Sequence, residues 1–259
     1  MKFGLLPARP ADLARAPRLG AHPIARRTPQ AALDRSGVAF APQPFGNNVL
    51  SDCTAAGLGN VALAIGALGG FQPVVTEPAV EAFYSATSGY IPGQPGTDRG
   101  AVLTDVLAYQ ARSGFHTGAE LLTGPWATVD SFNRGLLALG METFGVVVLG
   151  VALSLADMNR VGQVWDTDVM ATGGDPTPGS GGLHCLLGWS YDGLADGARV
   201  QLATWGGLQL ATWRWLDRAI REAHVVAWRP LLSTAGVNWS GVDYDALVGE
   251  AAAFERGAA

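Results

Sequence analysis

Residues 46–57 read GNNVLSDCTAAG, and they set one of only two cysteines, Cys53, directly after a Ser-Asp pair. The run from 51 to 68, SDCTAAGLGNVALAIGAL, is apolar nearly all round, which predicts a helix buried on most of its faces. Ser51 or Asp52 is the natural N-cap of that helix. A helix start stabilises a thiolate, because unpaired N–H groups and the macrodipole favour negative charge there. Cys53 is therefore either a small core residue, as cysteines often are, or a nucleophile. The rest of the chain has to separate the two readings.

The chain has 259 residues, 48% of them hydrophobic, ample for the core of one large domain or two small ones. The longest apolar stretch, 144–155, is interrupted by Gly145 and Gly150 and falls short of the ~20 residues that cross a bilayer, so no membrane span is expected. The first twenty residues lack the unbroken apolar segment of a secretory signal, which predicts a cytoplasmic protein or one assembled into a particle there. Cys53 and Cys185 alone build neither a disulfide framework nor a zinc knuckle. Reduced thiols are the default, with a Cys53–Cys185 disulfide as the alternative. No metal-ligand spacing exists, and GSGG at 179–182 lacks the lysine and helix of a phosphate loop, so neither metal nor cofactor is expected. The net charge of -5 argues against a nucleic-acid surface.

Residues 1–45, rich in Pro, Ala and Arg, predict an extended arm with at most one short helix near 10–16, docked on a partner or on its own domain. Further helices are expected at 77–88, 101–113 and 130–139. The runs at 144–153, 183–191, 198–205 and 222–230 are β-branched or aromatic and bounded by Gly, Asp and Pro, as strands are. Helices first and a mostly antiparallel sheet after them indicate an α+β fold with a cleft between two parts. The division expected is an arm at 1–45, a main domain at 46–232 and a partly helical tail at 233–259. The segment 170–182 cannot form regular structure and reads as a mobile loop leading into His184.

A cysteine nucleophile needs a histidine to share its proton and to protonate the leaving group. His22 lies in the arm, His116 follows a helix, and His224 sits in an alternating strand. His184 opens a strand after a glycine-rich loop, where a side chain can face a cleft. Strand alternation then turns Cys185 away from that cleft and into the core.

Cys53 at a helix start and His184 on a strand 131 positions later fall at the lower end of the spacing of papain-like cysteine proteases, which this order of elements resembles. GTDRGAVLTDVLAYQARSGF (96–115), LHCLLGWSYDG (183–193) and LATWGG (202–207) resemble that family's glycine-plus-helix segment, histidine strand and Trp-Gly strand. The resemblance is closer still to uncharacterised phage and prophage-like proteins, in GLLPARP (4–10) and GNNVLSDCTAA (46–56). It implies that Asn47, six positions before Cys53, stands where the family places a glutamine of the oxyanion hole, partnered by the Cys53 backbone N–H. It also puts Ala203 where the family has the asparagine that orients the histidine. Thr204, Asp192 or Asp166 would have to substitute, and Trp205 would shield the His184 region from water.

Two functions are compatible with this reading. One is a cysteine peptidase or amidase acting on a peptide or protein, with a Cys53 thiolate that forms well below the ordinary value of ~8.5. The other is a retired papain-like domain that serves as a virion structural or binding protein and meets other virion proteins through its arm.

Overall fold

The structure is a computed structural model that describes residues 2–167, 173–228 and Asp245. The arm contributes strand β1 (Leu5–Leu6), helix α1 (Pro10–Arg15) and two 3-10 turns (Leu19–Ala21 and Pro23–Arg26). The helical part follows as α2 (Cys53–Gly69), α3 (Glu77–Ser88), β2 (Ala101–Val102) and α4 (Leu103–Ser113). Short strands β3 (Phe115–His116), β4 (Leu121–Leu122) and β5 (Trp126–Thr128) lead to α5 (Arg134–Phe144). Then come β6 (Val147–Leu153), α6 (Leu155–Met158), β7 (Gly182–Tyr191), β8 (Arg199–Thr204), β9 (Gly207–Thr212), α7 (Trp213–Ala219) and β10 (Ile220–Val226). Six strands form one sheet in the order β5-β10-β6-β7-β8-β9, antiparallel throughout. The α+β expectation holds: helices precede a mainly antiparallel sheet. Among the described residues no helix is long and apolar enough to cross a membrane.

Local chemistry accounts for most boundaries. Thr76 caps α3 by accepting the Ala79 N–H at 3.3 Å, and Gly89 ends that helix in the left-handed region at φ 76°. Thr212 caps α7 in the same way, accepting from Trp215 at 3.3 Å. The almost wholly buried α2 lies across β7, and glycine is what allows the close approach. A Cβ at Gly57 would stand 3.0 Å from the Cys185 sulfur, and one at Gly59 would stand 2.9 Å from the Phe45 ring.

Several segments differ from expectation at their ends. The stretch 101–113 begins as a strand, because Ala101 and Val102 pair with β1 before the helix starts. The expected helix at 130–139 begins later, at the Asn133 cap, and runs on to Phe144, so β6 starts only at Val147. The strand β9 and the helix α7 were not foreseen. The tail at 233–259 lies outside the described residues apart from Asp245, and 170–172 of the expected mobile loop do too.

The arm is spent on its own domain. Leu19, Ile24, Phe40 and Phe45 join the hydrophobic core. The buried Arg35 donates to the carbonyls of Trp189 at 2.8 Å, Met141 at 2.7 Å and Gly145, and its guanidinium sits 4.4 Å over the Trp189 ring. An apolar shell and three carbonyl acceptors satisfy the donors of a cation that would otherwise be costly to bury.

Candidate active site

Cys53 is the first residue of α2 and His184 the third of β7, and the two line one cavity of about 20 Å³, room for about one water. Asn47, Thr204 and Trp205 line the same cavity. The helix and the strand thus bring together Cys53, His184, Asn47, Thr204 and Trp205 of the residues singled out in the sequence, without Asp192 and Asp166.

His184 is fully inside, and its Nε2 lies 2.7 Å from the Thr204 hydroxyl. Its ring stacks on Trp205 with centroids 4.0 Å apart and planes 16° apart. Its Nδ1 meets no hydrogen-bonding partner among the described residues. Trp205 reaches this position through the β8–β9 hairpin, whose two turn residues, Trp205 and Gly206, both have positive φ (43° and 78°). Paired positive φ values are those of a type I′ turn, and a tryptophan in that region is strained by roughly 1–3 kcal/mol. Stacking on His184 and a 3.2 Å hydrogen bond from Trp205 Nε1 to the Lys2 carbonyl offset that strain.

The side chain that meets His184 is therefore Thr204, beside the position of the missing asparagine. Ala203 is buried and pairs with Leu187 across the sheet. Asp192 is not at the site: it is exposed in the β7–β8 connection, where it accepts the Arg199 N–H at 2.6 Å. Asp166 is held elsewhere by Arg214, at 2.6 and 2.7 Å. Asp192 serves the turn between β7 and β8, and Asp166, which precedes β7, pairs with Arg214 on α7.

Asn47 is buried, and its amide donates to the Leu50 carbonyl at 3.0 Å. It stands beside Asp52, the N-cap residue, whose carboxyl is buried without capping the helix. Burial pushes that carboxyl up to about 7, an effect opposed by the Asn47 amide and reinforced by the nearby Asp98 and Glu77.

Cys185 departs from expectation. It is buried, but it faces α2 and lines the cavity together with Cys53 rather than pointing away from it. Alternation along β7 does place His184 and Cys185 on opposite faces, but Cys53 sits at the rim of α2, where the cavity reaches residues of both faces. Both cysteines are free thiols.

The protonation states also differ from the expected ion pair. Burial pushes the Cys53 thiol up to about 12, against smaller opposing effects from the backbone N–H groups of Cys185, Gly4 and Thr54. Burial lowers His184 to about 3. The two are a neutral thiol and a neutral imidazole in this conformation, because burial disfavours the charged form of each.

The covering segment is the one the sequence reading missed. Residues 2–6 run across the site: the Phe3 ring meets the rings of His184 and Trp205 edge-on, each at 5.9 Å. The carbonyl of Gly4 accepts the Ala101 N–H at 2.8 Å, and Leu5 and Leu6 pair in parallel with Ala101 and Val102. Nothing local in MKFGLLP marks it as a cleft occupant except the glycine between bulky neighbours.

No protein-family model matches the chain, and no curated protein does. Solved structures do match. Xylellain, a cysteine protease from Xylella fastidiosa, is 16% identical, with 86% of this chain and 95% of that one covered at a TM-score of 0.55. Procathepsin B S9 from Trypanosoma congolense gives 10% identity, 87% and 86% coverage and a TM-score of 0.57. Procathepsin L2 from the larval midgut of Tenebrio molitor gives 16%, 86% and 78%, and 0.54. The chain has the papain-like cysteine protease fold.

Proposed function

We propose that the chain is a cysteine peptidase or amidase whose nucleophile is Cys53 and whose acid-base is His184. The observation that carries this reading is the convergence of Cys53, His184 and Asn47 on one cavity at the start of a buried helix. In the reaction Cys53 attacks an acyl carbon of a peptide or protein, and the thiol proton passes to His184. His184 Nδ1 is the ring nitrogen available for it, since Nε2 is engaged with Thr204. Donation of Nε2–H to the Thr204 hydroxyl fixes the tautomer and the ring plane, and Trp205 shields that bond from water. The oxyanion is held by the Cys53 N–H and by the Asn47 amide once the latter turns from the Leu50 carbonyl. His184 then protonates the leaving amine, and water releases the acyl group from the sulfur.

A second reading is a domain of the same fold that has lost turnover and works by binding. Ala203 in the orienting position, and a thiol and imidazole both held neutral by burial, favour it. Incubation with unfolded protein substrates separates the two by mass spectrometry of new chain termini. The peptidase reading predicts cleavage that disappears in Cys53→Ala and His184→Ala. Absence of cleavage by the chain would leave only binding.

A further inference from the structure

Two sulfurs border the cavity, and the reaction described above uses only one of them. Cys185 lines the same cavity as Cys53, although it sits on the strand and not on the helix. The Cys53 sulfur stands against the Cys185 backbone N–H. The Cys185 sulfur in turn stands against α2 at Gly57, 3.0 Å from where a Cβ there would be. Gly57 lies one turn beyond Cys53, and residues four apart on a helix share a face, with Cβ atoms about 5–6 Å apart. The sheet closes another side of Cys185. Its register partner on β6 is Gly150, and the space over Gly150 is taken by Glu222 and Leu5, 2.6 and 2.9 Å from a Cβ built there. The Cys185 sulfur is left the helix side, where Cys53 begins.

Burial decides which oxidants and which thiols can take part. Cys53 is 2% exposed and Cys185 3%. A site with room for about one water admits hydrogen peroxide, which is little larger, and excludes a tripeptide thiol such as glutathione. An oxidised Cys53 therefore has to be met by a thiol of its own chain, and both cysteines are free to react.

We propose that Cys53 and Cys185 form a covalent modification site, in which a hydroperoxide oxidises Cys53 and Cys185 resolves the product as a reversible intramolecular disulfide. In the first step the Cys53 proton passes to His184 and the sulfur attacks the peroxide: an S–O bond forms, the O–O bond breaks, and the departing oxygen takes the proton from His184. In the second step the Cys185 sulfur attacks the Cys53 sulfenic acid. An S–S bond forms, the S–O bond breaks, and the hydroxide leaves with the Cys185 proton as water. Two thiols and one hydroperoxide give one disulfide, one alcohol or water, and one further water, with two electrons passing from sulfur to the peroxide. The disulfide stops the chemistry of Cys53 and spares it from sulfinic acid, which thiols do not reverse. The effect on turnover rests on the peptidase reading given above; the bond itself is read without turnover.

The test treats the folded full chain with hydrogen peroxide at pH 7.5, blocks remaining thiols with N-ethylmaleimide and maps peptides by mass spectrometry without reduction. Circular dichroism checks the fold, and N-acetylcysteine in the same solution reports that the peroxide is active. The expected product is a monomer with its Cys53 and Cys185 peptides joined, returned to two thiols by dithiothreitol. Cys185→Ala and Cys185→Ser remove the resolving thiol. In both, dimedone should trap the Cys53 sulfenic acid, and longer exposure should carry Cys53 to sulfinic acid. Dithiothreitol then recovers less than about a tenth of the Cys53 thiol, where the parent recovers nearly all of it. The parent alone decides whether the bond forms, so a variant that fails to fold leaves the test intact. Cys53 sulfinic acid without the joined peptides, bonds only between chains, or two intact thiols beside oxidised N-acetylcysteine would each overturn the proposal. A joined pair in a chain that shows no turnover before oxidation would sink the peptidase reading and leave the modification site standing. Turnover that peroxide destroys in the parent beyond rescue by dithiothreitol would do the reverse.

Discussion

Two buried histidines sit on the one sheet, His184 on β7 and His224 on β10, each with Nε2 engaged and Nδ1 without a hydrogen-bonding partner among the described residues. The partner of His224 is a carboxylate, Glu222, at 2.8 Å, with Trp126 edge-on at 5.6 Å. The partner of His184 is a hydroxyl, with a stacked tryptophan and Cys53 across the cavity. A carboxylate–imidazole pair packed among apolar side chains is a structural element whose loss strands a charge. A hydroxyl–imidazole pair holds the ring in place without supplying a counter-charge, so a histidine there can wait neutral until a proton arrives. Position on the sheet is similar; the chemistry of the neighbour distinguishes a fastening from a candidate acid-base.

The largest expected effect lies at the fastening. His224→Leu leaves the Glu222 carboxylate buried and unpaired and should cost about 3–5 kcal/mol. Thermal unfolding should show it as a fall of roughly 10 °C, while Cys53 chemistry per folded molecule is unchanged. A comparable loss of turnover in that variant would erase the distinction between the two histidines.

Thr204→Val keeps the shape and removes the hydroxyl partner of His184 Nε2, at a cost of about 1–3 kcal/mol. Its larger consequence is kinetic: kcat/KM should fall at least tenfold, and Thr204→Ser should recover most of it. A stability loss with no kinetic loss would make Thr204 a packing residue.

The pH dependence of stability sharpens the contrast further. His184, ordinarily near 6.5, is lowered to about 3 in the folded chain. The unfolded chain therefore binds a proton first, and this residue's contribution is intact above pH 6.5 and lost as pH falls toward 3. Asp52 is raised to about 7 and acts in the opposite sense, adding stability as pH falls from 7 toward 4. The two oppose each other between about pH 4 and 6.5, each by at most about 1.4 kcal/mol per pH unit. Asp52→Asn should unmask the His184 loss, so that denaturant unfolding shows a steeper decline from pH 7 to pH 5 than in the parent. An unchanged slope would mean that one of the two groups is not buried in solution.

The smallest effect is expected at Asp192. Asp192→Asn should shift stability by no more than about 0.5 kcal/mol and leave turnover unaltered, because its carboxylate serves only the Arg199 turn. A kinetic loss there would reopen the question of what orients His184.

Much of this was legible in order and spacing. The apolar run after Asp52, the strand behavior of 183–191 and the spacing of Cys53 and His184 report local propensity and burial, which a sequence displays directly. What was not legible depends on distant partners. The β9–α7 segment was hidden because GLQLATWRWLDRA mixes strand and helix formers, and a hairpin turn with a tryptophan at positive φ has no sequence signature. The choice of Thr204 over Asp192 turns on where the end of β8 and the β7–β8 connection carry the two side chains. The side of Cys185 turns on which strand face meets α2. The covering of the site by Lys2, Phe3 and Gly4 arises from contacts with residues some 45 to 200 positions away. Burial raises the Cys53 thiol, opposite to the direction that the helix start alone suggests.

The central claim, that Cys53 and His184 work as a pair, is tested most directly by mass spectrometry of new chain termini from an unfolded protein substrate, with the parent chain, Cys53→Ala and His184→Ala. The account predicts cleavage by the parent that is lost in both variants. Cleavage that survives His184→Ala would contradict it.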